Sequence, residues 1–185
     1  MKKDEFLSSY VEGERPSSGP IVIVDPDPGW PGSFSREAER LESILGNRAL
    51  GIEHVGSTSV PGLAAKPIID VLLVVSDPAL EAGYLPALEA HGYVLRIREP
   101  NWYQHRLLRG PDTNINLHVF GSGCPEIDRM LRFRDWLRTH ESDRRRYEET
   151  KRRLASKQWT YVQDYADAKS AIVEEILAGA DRAFT

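Results

Sequence analysis

Apolar residues recur along this chain with two periods, and each change of period marks an element. Phe34, Ala38, Leu41, Ile44 and Leu45 stand at helical spacing between the rigid turn Asp25-Pro-Asp-Pro-Gly29 and the stop Gly46-Asn47, which predicts a helix over 30–45. Trp30 is expected to anchor its entry. Short β-branched or alternating runs predict strands over 21–24, 49–55, 67–75, 93–98, 103–109 and 114–120, the last two joined by Gly110-Pro-Asp-Thr113. Another helix is expected after Ser76-Asp-Pro78, with Leu80, Tyr84, Leu85 and Leu88 on its buried side and a break at Pro86, whose ring and missing N–H disrupt a helix interior. Beyond Pro125 the pattern is helical, over 125–140, 142–157 and 161–180. Residues 1–19 are polar and turn-rich and read as a flexible arm. Mixed strands followed by a helical tail imply an α/β (α+β) fold in a single domain over 20–185, with a sheet core over about 20–123 and a C-terminal helical segment over about 124–185.

One strand breaks its own pattern. The run 67–75 is almost wholly apolar, as in a strand covered on both faces, yet it carries Asp70. A buried carboxylate is costly unless a metal, a cation or hydrogen-bond donors meet it. Just upstream, Gly56 and Gly62 let the backbone bend and approach a ligand, Ser57, Thr58 and Ser59 add hydroxyl donors, and Lys66 adds positive charge. That is the composition of a phosphate cradle, and also of an ordinary tight turn. In 114–120, alternation puts Asn114, Asn116 and His118 on one face. His118 with Asp70 suits a general base or a metal pair, whereas His54 suits a hydrogen-bonded core role at least as well. His105-Arg106 and Arg96-x-Arg98 lie on intervening strands, and Arg106 is the cation expected to recognise a phosphate or carboxylate. Tyr147 with Lys151, and Tyr165 with Lys169, are spaced to share a helix face, where ligand contact and simple packing are both open.

The string Gly56-Ser-Thr-Ser-Val-Pro-Gly-Leu-Ala-Ala-Lys-Pro-Ile-Ile-Asp70 resembles the GrpB (UPF0157-like) family of the nucleotidyltransferase superfamily. Asp25-Pro-Asp-Pro-Gly-Trp30-Pro, Leu117-His118-Val119, Phe133-Arg-Asp-Trp-Leu-Arg138 and the two Tyr/Lys pairs extend the resemblance over about 20–180. It implies a nucleotidyltransferase-like mixed sheet, phosphate binding at Gly56 and Ser57, a metal at Asp70, nucleotide contacts from Tyr147 and Lys151, and nucleotidyl transfer from a nucleoside triphosphate. In the superfamily pattern, two alternate carboxylates on one strand and a third from a later strand hold two magnesium ions. Here Leu72 takes the second position, and the later strand offers Asn114, Asn116 and His118. The expectation is at most one tightly held divalent ion, Mg, Mn or Zn, with Asp70 and His118 as its protein ligands. A non-catalytic nucleotide-binding module, and a different small-molecule enzyme using His118 as base, are the alternatives to transfer. The family also includes fusions to dephospho-coenzyme A kinase, which points towards coenzyme metabolism.

Composition narrows the partners. At 185 residues, 41% hydrophobic and 28% charged, the chain is long enough for one domain with a proper core. A net charge of −4 argues against a protein that coats nucleic acid, so the expected partner is a nucleotide or another phosphorylated small molecule. The single cysteine, Cys124, rules out an intrachain disulfide and a multi-cysteine metal site. No signal-peptide pattern opens the chain and no apolar run has the length of a membrane span, so a cytoplasmic protein without membrane contact is expected.

Overall fold

Five strands, β1 (Gly51–Val55), β2 (Ile69–Val75), β3 (Val94–Glu99), β4 (His105–Arg109) and β5 (Ile115–Gly121), form one mixed sheet in the order β1-β2-β5-β4-β3. The computed structural model describes residues 3–112 and 114–183. Thr113 of the expected turn and the extreme ends of the expected arm and tail lie outside the described residues. Among these strands β2 and β5 run parallel, and the other pairs are antiparallel. The helices are α1 (Lys3–Ser8), α2 (Trp30–Leu45), α3 (Leu85–Glu89), α4 (Pro125–Thr139), α5 (Glu141–Ala155), α6 (Val162–Ala168) and α7 (Ser170–Ala183).

Alternation divides β2 between two environments. Ile69, Val71, Leu73 and Val75 join Leu108, Ile115, Leu117 and Val119 against α2 and α3, forming the main core. Each large aliphatic side chain fully buried there stabilises the fold by about 1.5–3 kcal/mol. Asp70 and Leu72 face the other way. There Val55, Leu72 and Phe120 pack beneath Ile127, Met130 and Leu131 of α4. Because α4 covers only part of this face, the rest of the sheet around Asp70 becomes the floor of a cleft.

Several expected elements take other forms. The segment 21–24 makes only one bridge, between Val24 and Ala65, since Pro20 and Pro26 lack the N–H groups a longer ladder needs. After Pro78 the chain makes a 3-10 turn, Glu81–Gly83, and then α3, with Pro86 in the first turn of that helix, where no N–H is required. The expected helix over 161–180 is divided at Lys169 into α6 and α7. The N-terminal segment, expected to be a flexible arm, is docked. Val11 and Arg98 amides donate to the Arg96 and Ser9 carbonyls, so residues 9–11 pair along the outer edge of β3. Buried Phe6 and Ile21 and a Glu14–Arg96 ion pair of 2.7 Å hold it. A bare edge strand and a few apolar anchors outweigh the polar composition of the arm.

Candidate functional site

A cleft of about 520 Å³ opens between the uncovered sheet face, the loop joining β1 to β2, the docked N-terminal segment and α6. Gly56, Ser57, Thr58, Lys66, Asp70, Asn116, His118, Lys151 and Lys169 contribute to its walls. The loop turns at Gly56 with φ +69°, and a Cβ there would stand 3.0 Å from both Cβ and Cγ of Asp70. Glycine is therefore required twice, for the left-handed backbone and for the close approach of the carboxylate. Ser57 then opens a 3-10 turn, Ser57–Ser59.

The turn is held from behind by its own hydroxyls and by the helical tail. Thr58 Oγ1 donates to the Ile68 carbonyl at 3.1 Å and meets His54 Nε2 at 3.0 Å, while Ser59 Oγ donates to the Gly56 carbonyl at 2.6 Å. His54 stacks on Phe34, and its burial lowers its pKa to about 4, so it is neutral and structural. From α4, Arg134 donates to the His54 carbonyl at 3.0 Å and Arg138 to that of Ser59 at 2.9 Å. From α5, Glu148 accepts from the Ala64 amide at 3.1 Å and Lys151 donates to the Ala64 carbonyl. Val60 and Leu63 bury their side chains among Leu137, Tyr147 and Ile176. Loop and tail are thus one packed unit.

Asp70 lies at the centre of the floor, its side chain 27% exposed. Asn116 Nδ2 donates to its Oδ1 at 2.9 Å, and His118 Nε2 stands 3.7 Å from the same oxygen. Burial opposes its charge, but His118, Asn116 and Lys66 together outweigh that and hold the carboxyl below the ordinary aspartate range. Behind His118, His105 Nε2 lies 3.1 Å from His118 Nδ1, and His105 Nδ1 lies 2.6 Å from Glu99 Oε2. Burial pushes His105 down to about 4.

Across the cleft three lysines gather around two tyrosines. Lys66 Nζ lies 5.8 Å and Lys169 Nζ 4.9 Å from the centroid of the Tyr165 ring, and Lys151 Nζ lies 4.9 Å from that of Tyr147. Burial, followed by the charge of Lys169, lowers Lys66 and takes Lys151 to about 7. The Tyr165 hydroxyl is buried with no hydrogen-bond partner among the described residues. This wall carries positive charge compensated by π-faces and carbonyls, with no lysine salt bridge among the described residues. Such an arrangement favours an anion in the cleft.

A family model described as GrpB protein matches residues 20–179. The chain belongs to the GrpB family. It is 59% identical to a UPF0157 protein of Halalkalibacterium halodurans over 181 residues, covering 97% of this chain and 93% of that one. A dephospho-CoA kinase of Mycolicibacterium paratuberculosis is 34% identical over an alignment of 160 residues that covers 72% of this chain and 39% of the kinase, so the GrpB chain matches well under half of that protein. Among solved structures, the conserved protein GrpB from Enterococcus faecalis superposes with a TM-score of 0.68 at 30% identity, covering 83% of this chain and 98% of that one.

Within this GrpB chain the expected site residues divide into three groups. Gly56, Ser57, Lys66, Asp70, His118 and Lys151 meet in one cleft. Thr58 lines it, but its hydroxyl and that of Ser59 are committed to the turn, which leaves Ser57 as the hydroxyl of the three available to a ligand. Tyr147 is buried against Phe133 and supports Lys151 from below rather than lining the cleft. Arg106 does not face the cleft at all. It lies on the opposite face of the sheet, pairing with Glu81 at 2.6 Å, because β4 pairs Leu107 with His118 and so turns the odd-numbered residues of β4 towards the cleft face. His105 therefore takes the place expected of Arg106. The register of β4 on β5 is the signal: counting back across the short turn brings Arg109 opposite Asn116. Lys169 and Tyr165 stand in the sequence only as a helix pair, and their convergence with Lys66 depends on long-range packing.

Position 72 decides which metal arrangement fits. Leu72 is fully buried beneath α4 with Val55 and Phe120. Glu53 is paired with Arg134 at 2.7 Å, and Asp112 with Arg40, so neither supplies the missing carboxylate. Among the described residues no group of three or more His, Cys, Asp or Glu is placed to hold a metal ion. A two-ion carboxylate site does not fit these residues; a single ion completed by water or phosphate oxygens fits Asp70 and His118. No helix among the described residues is long and apolar enough to cross a membrane.

Proposed function

We propose that this cleft binds a nucleotide or another phosphorylated small molecule. The observation that carries the reading is the convergence of Lys66, Lys151 and Lys169 opposite the Gly56–Ser57 turn and Asp70. Phosphate oxygens would accept from the lysines and from Ser57, while Asp70 and His118 would hold one divalent ion, which neutralises phosphate charge when bound. The family resemblance implies nucleotidyl transfer as the reaction. The apolar filling at Leu72, and the absence among the described residues of a third acid near Asp70, favour binding without rapid two-ion transfer.

A thermal-shift screen of nucleotides, coenzyme A precursors and sugar phosphates, with and without Mg²⁺, Mn²⁺ and Zn²⁺, tests the reading. A ligand that binds the native state raises the melting temperature by mass action, so the screen needs no assumed reaction. The expected result is a saturable rise with a phosphorylated compound that its dephosphorylated counterpart does not give. The dephospho-CoA kinase relative is the reason to include coenzyme A precursors. No shift with any phosphorylated compound would sink the proposal.

A further inference from the structure

Phosphate binding gives no reason for a buried histidine at the back of His118. The His105 ring is 3% exposed, stacks on Phe120 at 4.6 Å between centroids and is met edge-on by Trp102 at 5.2 Å. Its two nitrogens are both engaged, Nδ1 with Glu99 Oε2 at 2.6 Å and Nε2 with His118 Nδ1 at 3.1 Å. A carboxylate only accepts, so His105 Nδ1 carries a proton in that contact. The aromatic enclosure penalises a second proton on the ring, so Nε2 keeps its lone pair. Two lone pairs do not meet at hydrogen-bond distance, so His118 Nδ1 must donate. That leaves a lone pair on Nε2 of neutral His118, directed at Asp70 Oδ1 across 3.7 Å, which is too long for a hydrogen bond. In that neutral form two acceptors face one another at the cleft floor, whereas a protonated ring, the form in which His118 lowers the Asp70 pKa, points an N–H at the carboxylate instead.

We infer that Glu99 and His105 are positioning residues that lock His118 in its Nδ1–H tautomer, so that His118 Nε2 and the Asp70 carboxylate form a nitrogen–oxygen pair for a nitrogen-tolerant divalent cation. A carboxylate–histidine arrangement behind a ligating imidazole orients the ring and raises its basicity. Imidazole in the pair shifts preference from Mg²⁺ towards Zn²⁺ or Mn²⁺. The cation half of the inference rests on the proposed reading of the cleft, whereas the tautomer belongs to the chain alone.

The test uses the full-length protein labelled with ¹⁵N at histidine. Long-range proton–nitrogen correlation, at a pH above the ordinary imidazole range, should give His118 the Nδ1–H pattern in the wild type. His105→Phe keeps an aromatic ring against Phe120 and removes the acceptor, so the pattern should shift to Nε2–H. Glu99→Met, at a less buried position, loosens the His105 tautomer and should give a mixture, whereas Glu99→Gln retains an acceptor oxygen and should restore the wild-type pattern. Zinc titrated alone should bind about 10- to 100-fold more weakly to His105→Phe. Inorganic triphosphate without metal should bind all variants equally. An Nε2–H pattern for wild-type His118 overturns the tautomer, and an unchanged pattern and zinc affinity in both His105→Phe and Glu99→Met overturns the positioning role. Absence of zinc binding to the wild type overturns the cation half. Failure of triphosphate alone would instead reject the phosphate reading while leaving the tautomer standing.

Discussion

Single side chains on the two walls of the cleft contribute differently. Gly56 is the point of least tolerance, since a methyl group there requires both an alanine at φ +69° and ψ −171°, a region essentially confined to glycine and costing about 1–3 kcal/mol, and displacement of the Asp70 carboxylate. Gly56→Ala should therefore lower the urea midpoint by at least that backbone cost, and weaken any ligand that uses Asp70. The side chains of Ser57 and Lys66 make no hydrogen bond or salt bridge to another described residue, Lys66 acting only through its approach to Tyr165 and its charge beside Asp70, so their truncation should spare the fold. Ser57→Ala with Lys66→Ala should weaken a phosphorylated ligand by about 1.5–3 kcal/mol for each charge-assisted hydrogen bond removed, and calorimetric titration would show it. Lys151 links pH to stability. With its native pKa lowered to about 7 by burial, both native and unfolded chains carry its proton at pH 6, and the whole cost of the buried charge is felt there. As pH rises through about 7 towards the unfolded lysine value of about 10.4, the native state sheds the proton first and stability increases. Lys151→Met removes that dependence, so its melting temperature relative to wild type should be more favourable at pH 6 than at pH 9. An identical difference at both pH values would reject the assignment.

At the scale of elements, the β3–β4 connection is strained. Within the connection 100–104 that joins Glu99 to its partner His105, Tyr103 and Gln104 both adopt positive φ, 53° and 54°, and the His105 amide donates to the Trp102 carbonyl at 3.0 Å. Two successive positive-φ positions favour Asn-Gly, because a Cβ disfavours the left-handed region. Tyr103→Asn with Gln104→Gly should accordingly raise stability by about 1–2 kcal/mol, read from the denaturant midpoint. His105 and Trp102 flank this turn, so the same change reports whether its geometry matters for His118. On the far side, α4 and α5 reach the β1–β2 loop through Arg134, Arg138, Glu148 and Lys151, which fixes the Gly56–Ser59 turn from the side of the tail.

The whole molecule depends on that tail. The faces of Val55, Leu72 and Phe120 on the sheet, and of Val60 and Leu63 in the loop, are buried against α4, α5 and α7. A chain ending at Gly123 would expose both clusters together with the carbonyls that Arg138 and Lys151 satisfy. It should be insoluble or lack cooperative unfolding, and a well-dispersed amide spectrum from that fragment would show the tail to be dispensable. The exposed surface of the tail is of a different kind. The Arg145–Glu141 pair, for example, is spaced one helical turn apart and solvated, and contributes little.

Periodicity and punctuation determined α2 to the residue, the apolar β2 with Asp70 inside it and the Gly-Ser turn before it, because each is local in the chain. Resemblance over a long continuous string determined the family. Tertiary structure alone decided which side each charged strand residue faces: one step of register sends Arg106 to Glu81 and His105 to His118. It also decided that a polar N-terminal segment would be captured by the edge of β3, and that lysines from a loop and two parts of the tail would converge beside Tyr165 and Tyr147. Those outcomes turn on pairings between residues far apart in sequence. Composition and local spacing carry no information about such pairings until the chain has closed on itself.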